Sequence, residues 1–332
     1  MDVSSLVWLL TAAGVVGLLV FDFFAHVRTP HEPTFRESAW WSSVYIVLAL
    51  LFGVAVGAFW GWDHGAEYFA GYVTEKSLSV DNLFVFLIIM TRFAVPRAFQ
   101  QKVLLVGVAI ALVLRTVFIL VGAAAIERWS WVFYLFGAFL VYTGVKLARE
   151  DHDGSDEKEV GDGFLVRAVR RVFPTTTEYD GDRLTTVVDG KRLLTPMLLV
   201  MVAIGSTDIL FALDSIPAIY GLTEEPYIVF TANAFALLGL RQLYFLIGGL
   251  LERLVYLSQG LAVILGFIGV KLLLHAMHTN ELPFINGGEH IEWAPEIPIW
   301  LSLTVILGTL AVATVASLLK TRSDRRVAAG QE

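Results

Sequence analysis

Residues 72–86 read Tyr72-Val73-Thr74-Glu75-Lys76-Ser77-Leu78-Ser79-Val80-Asp81-Asn82-Leu83-Phe84-Val85-Phe86. Residues 205–217 read Gly205-Ser206-Thr207-Asp208-Ile209-Leu210-Phe211-Ala212-Leu213-Asp214-Ser215-Ile216-Pro217. Each stretch sets two acids six residues apart in an apolar run. An ionised carboxylate at the centre of a bilayer costs roughly 2.5–3.5 kcal/mol even on a lenient insertion scale. If these runs cross a membrane, Glu75, Asp81, Asp208 and Asp214 must face the protein interior and find a compensating charge. On a helical wheel Glu75, Ser79 and Asn82 share one face, as do Asp208 and Ser215, while Asp81 and Asp214 lie off it. Gly205, Pro217 and the Ser/Thr clusters would permit local unwinding, which would bring all four acids together and expose backbone carbonyls.

The rest of the chain supports a membrane setting. Of 332 residues, 56% are hydrophobic and only 17% charged, and the mean hydropathy is +0.69. That is too little charge to cover a soluble globule of this size. Runs of about 20 apolar residues, the length a bilayer core takes as helix, fall at 6–24, 41–60, 67–92, 103–124, 129–148, 196–221, 227–249, 254–275 and 299–318. About nine transmembrane helices are therefore expected in an all-α polytopic membrane protein. The first run has no basic flank or small-residue cleavage site and reads as a retained helix. Trp8, Trp40, Trp41, Trp60, Trp62, Trp129, Trp131 and Trp300 stand at the proposed edges, where interfacial aromatics gather.

Nine spans place the termini on opposite sides. Arg28, Arg36, Arg92, Arg97, Lys102, the basic residues of 149–195 and Lys320 to Arg326 then fall on one side, cytoplasmic by the positive-inside rule. The expectation is N-terminus out, C-terminus in. Segment 149–195 opens acidic and continues as an amphipathic stretch at 164–173, with Leu165, Ala168, Val169 and Val172 on one face and Arg167, Arg170 and Arg171 on another. A hairpin around Asp189-Gly190 follows. This segment reads as a connector or as a gating or regulatory element, and could also dock protein partners.

Self-similarity points to the functional centre. Arg115, Glu127-Arg128 and Gly144-Val145-Lys146-Leu147 are echoed by Arg241, Glu252-Arg253 and Gly269-Val270-Lys271-Leu272. Aligning Glu75 with Asp208 sets Asn82 against Ser215. Residues 67–148 and 196–275 thus read as two three-helix copies within a single domain spanning 1–332. An odd number of helices inverts the second copy, as in transporters whose site lies where repeats meet near the midplane.

An oxygen shell of carboxylates, Asn82 and hydroxyls suits a hard divalent cation, and the absence of cysteine removes thiolate ligands and thiol redox chemistry. Glu75, Asp81, Asn82, Asp208 and Asp214 are the expected metal residues, with Ser77, Ser79, Thr207, Ser215, Lys76, Arg115 and Arg241 as auxiliaries. Arg115 and Arg241 read as counter-ions; Lys76 reads either as a surrogate cation or as a snorkelling side chain. Asp22 and His26 form either an access relay or a solvated pair. His275 and His278 have metal-like spacing without a fixed acid. Glu281, Glu289, His290 and Glu292 form an acidic outer loop. A net charge of −7 without a basic face gives no footing for nucleic acid.

Glu75-Lys76-Ser77-Leu78-Ser79-Val80-Asp81-Asn82, with Thr207-Asp208 and Phe211-Ala212-Leu213-Asp214-Ser215-Ile216-Pro217-Ala218, resembles the TerC family of membrane proteins, named for its association with tellurium resistance. The resemblance covers nearly the whole chain and extends more distantly to exporters of the LysE superfamily. It implies a bacterial inner-membrane protein linked to Mn²⁺ export and metal homeostasis, with Glu75, Asp81, Asn82, Asp208 and Asp214 on the metal path. Many members carry a Glu where this chain has Gly205, so one ligand or proton carrier is missing here. The expected function is efflux of Mn²⁺ as substrate by alternating access, with proton exchange and without an organic cofactor or enzymatic activity. The chain has no Walker loop for ATP. Two other readings are a non-transporting partner in a tellurite-stress complex and an intramembrane aspartyl protease; the latter lacks a Gly-x-Gly-Asp turn.

Overall fold

The computed structural model describes the whole chain except residues 28–30, 130, 150–163, 189, 248–254, 281, 283–284, 292 and 330–332, and gives the backbone alone at Asp81, His26 and some other positions. The acidic stretch 150–162, the Glu252-Arg253 pair, Glu281 and Glu292 lie outside the described residues.

Helix α1 (Ser5–Asp22) starts at Ser4, whose hydroxyl accepts the Val7 N–H, and continues through a π-turn, Phe23–Val27. Helix α2 (Phe35–Trp60) is capped by Thr34, which accepts the Glu37 N–H. Gly61, at φ +106°, turns the chain directly into α3 (Trp62–Arg92). Then follow α4 (Arg97–Arg128) and α5 (Val132–Arg149). A short helix, α6 (Phe164–Val172), and an antiparallel hairpin of β1 (Thr185–Val188) with β2 (Lys191–Leu194) lead back to the bundle. There α7 (Pro196–Tyr220) and α8 (Pro226–Leu237) each begin on a proline, which fits the first helical turn. The remaining helices are α9 (Leu240–Ile247), α10 (Leu257–His278) and α11 (Ile299–Ala329).

Eight helical segments among the described residues are long and apolar enough to cross a bilayer, with α8 and α9 counted together. The expected span at 67–92 lies within α3, which has 31 residues and is about 46 Å long. Asp63, Glu67, Glu75, Lys76, Asp81 and Arg92 keep α3 out of the apolar set. It packs against α2, α7, α8 and α11, so its charges meet protein. The outer helices show the reverse: Leu9, Phe59, Val121, Val312 and Leu319 are exposed, as a lipid-facing surface requires.

Helix directions follow from close contacts. A Cβ on Gly137 of α5 would lie 2.9 Å from the Gly269 carbonyl of α10, and one on Gly144 would lie 2.9 Å from that of Ala262. Rising numbers on α5 meet falling numbers on α10, so the two run antiparallel with backbones in contact, as small residues allow between membrane helices. Gly107 and Gly122 of α4 face Ile204 and Tyr220 of α7, a parallel pair. Gly71 of α3 faces Ala232 of α8, and Lys76 reaches Ala236, also a parallel pair. Glu75 and Arg115 meet at similar depths from the α3–α4 turn. Helix α4 therefore returns against α3, and α7 runs opposite to α3.

Two sequence expectations are corrected. No unwinding occurs at Gly205 or Pro217: α7 is continuous through both. The break falls instead inside the run 227–249, where Leu238 is extended and Gly239 adopts φ +79°. The apolar face proposed for α6 is also displaced. Val166 is buried and Val169 partly so, but Val172 is exposed. The hairpin turns at Gly190 (φ +73°) as expected.

Candidate functional site

The α3–α4–α7 contact holds a charged centre that is almost wholly buried. Arg115 of α4 and Glu75 of α3 are each 0% exposed, and Asp208 of α7 is 1% exposed. The Arg115 guanidinium forms an ion pair with Glu75 through Nη1. Towards Asp208 it presents a fork, Nη2 to Oδ1 at 3.2 Å and Nε to Oδ2 at 3.4 Å. Arginine suits this task because its planar fork addresses two carboxylates at once and stays charged when buried. Two carboxylates against one guanidinium leave the centre one negative charge in excess if both acids are ionised.

The same two helices, α3 and α7, also carry the buried hydroxyls of Thr74, Ser79 and Ser215, none with a hydrogen-bond partner among the described residues, and the buried Asn82. Unsatisfied hydroxyls in a dry interior are costly unless something fills their lone pairs. Ser77 and Thr207 do not join them; their hydroxyls donate to the carbonyls of Val73 and Ala203 on their own helices.

The expected metal residues therefore separate. Glu75 and Asp208 come together on Arg115. Asp214 is half-buried on another side of α7, where it accepts a hydrogen bond from Thr143 of α5 at 3.2 Å. Of Asp81 only the backbone is described, on a regular turn of α3. Among the described residues, no three His, Asp or Glu side chains gather as a metal cluster.

A second buried charge network lies where α1, α2, α4 and α9 meet. Arg241 donates to Asp22 through Nη2 (2.8 Å) and Nε (3.1 Å) and also contacts Gln101. Tyr45 and Gln242 donate to Asp22 as well. Asp22 is thus not solvated but the buried counter-ion of Arg241; the His26 side chain, the other half of the expected relay, lies outside the described residues. Sequence reasoning missed Gln101, Tyr45 and Gln242 as members. It also missed Asn233 of α8, buried with neither amide atom partnered among the described residues. A lone amide in an apolar run was the available signal.

At the far ends of α3, α7 and α10 a cavity of about 430 Å³ opens, lined by His64, Glu67, Glu224, Glu225, Lys271 and His275 among others. The two histidines that lacked fixed acids have them: His275 pairs with Glu224 at 2.9 Å and His278 with Glu296 at 3.3 Å.

The fold and this centre define a polytopic α-helical membrane protein with paired carboxylates and an arginine buried between its helices. The chain belongs to the TerC family of integral membrane proteins, whose family model matches residues 60–325. It is 53% identical over 323 residues to an uncharacterized membrane protein of Mycobacterium tuberculosis, covering 97% of this chain and 81% of the relative. It is 39% identical over 315 residues to an uncharacterized membrane protein of Myxococcus xanthus (95% and 92% covered). It is 38% identical over 324 residues to the Escherichia coli protein named "Putative membrane-bound redox modulator Alx" (94% of each). No solved structure matches the chain.

Proposed function

We propose that the chain exports a divalent cation, Mn²⁺ foremost, from the cytoplasm across the bacterial inner membrane by alternating access. The observation that carries this reading is the single guanidinium shared by Glu75 and Asp208. In this conformation Arg115 stands where a substrate cation would be held, and a divalent ion that displaced it would neutralise both acids. The unpartnered hydroxyls of Thr74, Ser79 and Ser215, with Asn82, would supply the further hard oxygen ligands that Mn²⁺ takes and that a cysteine-free chain can offer. Asp81 and Asp214 continue the path, and Asp214 leads towards α5.

Antiparallel α5 and α10 and oppositely directed α3 and α7 support two inverted repeats at 67–148 and 196–275, between which a rocking motion would expose the centre alternately. Carboxylates that released the metal outside could return protonated, giving proton exchange. Counting α3 as a ninth span sets the termini on opposite sides, and the positive-inside rule then supports an outer N-terminus with the C-terminus and segment 149–195 in the cytoplasm. A link to tellurium resistance would then follow from metal balance. The relative named as a redox modulator is compatible with the same route, since no cysteine is present here for thiol exchange. The protease alternative requires two acids sharing a proton, whereas Glu75 and Asp208 share an arginine.

Mn²⁺ binding by the detergent-purified protein, followed by loss of the free-ion electron paramagnetic resonance signal, tests the reading. Glu75→Gln and Asp208→Asn should each weaken binding at least tenfold. Binding indifferent to both would discard the site.

A further inference from the structure

Glu75 and Lys76 are adjacent, yet they leave α3 towards different helices. Glu75 reaches Arg115 on α4. Lys76 donates from Nζ to the carbonyl oxygen of Ala236 at 3.0 Å and to that of Leu238 at 3.5 Å, at the point where α8 stops. Among the described residues, no carboxylate accompanies these two acceptors. The described partners of the ammonium are backbone oxygens, at the negative end of a half-helix.

The geometry of the break does not depend on Lys76. Gly239 sits at φ +79°, and a Cβ there would approach Tyr45 to 3.0 Å, so a side chain would be strained and tightly packed there. Tyr45 is fixed by its hydrogen bond to Asp22, and Asp22 by Arg241, on the first turn of α9. Below the break, the Leu238 N–H closes on Ala234; above it, the Leu243 N–H closes on Gly239. The carbonyls of Ala236 and Leu238 thus belong to a preformed kink, and their residues are buried. Without the ammonium they would be left as unpartnered acceptors in a dry interior, which is costly.

We propose that this break is a binding site for a small monovalent cation of the alkali or ammonium class, which Lys76 occupies as a tethered ion in this conformation. Neutral carbonyls and half a helix dipole offer too little negative charge to strip a divalent ion of its water, but they suit a singly charged ion. A free cation enters when Lys76 is withdrawn or removed. The inference does not rest on the divalent reading, because the break shares no residue with the Glu75–Arg115–Asp208 centre.

Thermal unfolding of the full-length Lys76→Ala protein in detergent tests it, with methylammonium, sodium or potassium chloride compared against choline chloride at equal ionic strength. The variant should melt below the wild type, and at least one small cation should raise its midpoint saturably by about 4 °C. Choline should do nothing, and neither the wild type nor Lys76→Arg should respond. If Lys76→Ala yields folded protein only when purified in methylammonium or sodium chloride, that is the same rescue. A variant whose folding and melting are moved by none of the small cations overturns the proposal.

Discussion

Arg115 is the residue on which two buried acids depend, and removing it would leave both uncompensated. Breaking a buried ion pair by deleting one partner costs about 3–5 kcal/mol, whereas replacing all partners with neutral groups is often nearly neutral. Arg115→Gln is therefore expected to lower stability by about that amount in denaturant unfolding in detergent. The triple change Glu75→Gln, Arg115→Met, Asp208→Asn should recover most of the loss. If single and triple variants were equally destabilised, the acids would not be held by this charge. These residues were legible because charge inside an apolar run is rare enough to need a reason, and the wheel already placed Glu75 and Asp208 on interior faces. Their sharing of Arg115 was not legible. Periodicity gives the direction in which a side chain leaves its own helix, not the helix it meets, and Arg241 found Asp22 from a segment outside both repeats.

Two kinds of glycine are distinguished by the helices they serve. Gly137 and Gly269 let the α5 and α10 backbones touch, with a Cβ at either position only 2.8 Å from its nearest neighbour. Alanine at either should destabilise the protein by about 1–3 kcal/mol through overpacking. Gly205 is different: a Cβ there would meet only Ile110, at 3.4 Å. Gly205→Ala should be neutral or stabilising by up to about 1 kcal/mol, since alanine favours helix. Unfolding midpoints of the three variants check both statements. The α6-hairpin segment is tied to α4 by Lys102, whose hydrogen bond and charge hold the Asp182 carboxyl below its ordinary 3.8. A lowered carboxylate pKa stabilises the fold at pH above the ordinary value and ceases to do so as pH falls through the shifted one. Any stability gap between wild type and Asp182→Asn should thus be small, constant near neutral pH, and close below about pH 4. Equilibrium unfolding at several pH values reads this directly. Helix identity was largely legible from apolar runs. The α8–α9 break was not, because one glycine in a hydrophobic stretch reads equally as a packing contact, and the Tyr45 side chain that packs against Gly239 comes from across the bundle.

At the scale of the molecule, eight apolar segments surround or flank a charged α3, and the proposed function depends on which side each loop faces. The absence of cysteine makes this measurable by single introduced thiols. Glu178→Cys should react with a membrane-impermeant maleimide only in inverted vesicles, and Asn286→Cys only in right-side-out cells. Labelling of both from the same side would refute the topology. The central claim is that Glu75 and Asp208 hold the transported ion, and flux tests it most directly. In proteoliposomes bearing a Mn²⁺ gradient, the wild type should carry Mn²⁺, and folded Asp208→Asn and Glu75→Gln proteins should lose at least nine-tenths of that flux. Wild-type vesicles that carry no Mn²⁺, or variants that carry it as fast as the wild type, would contradict the account.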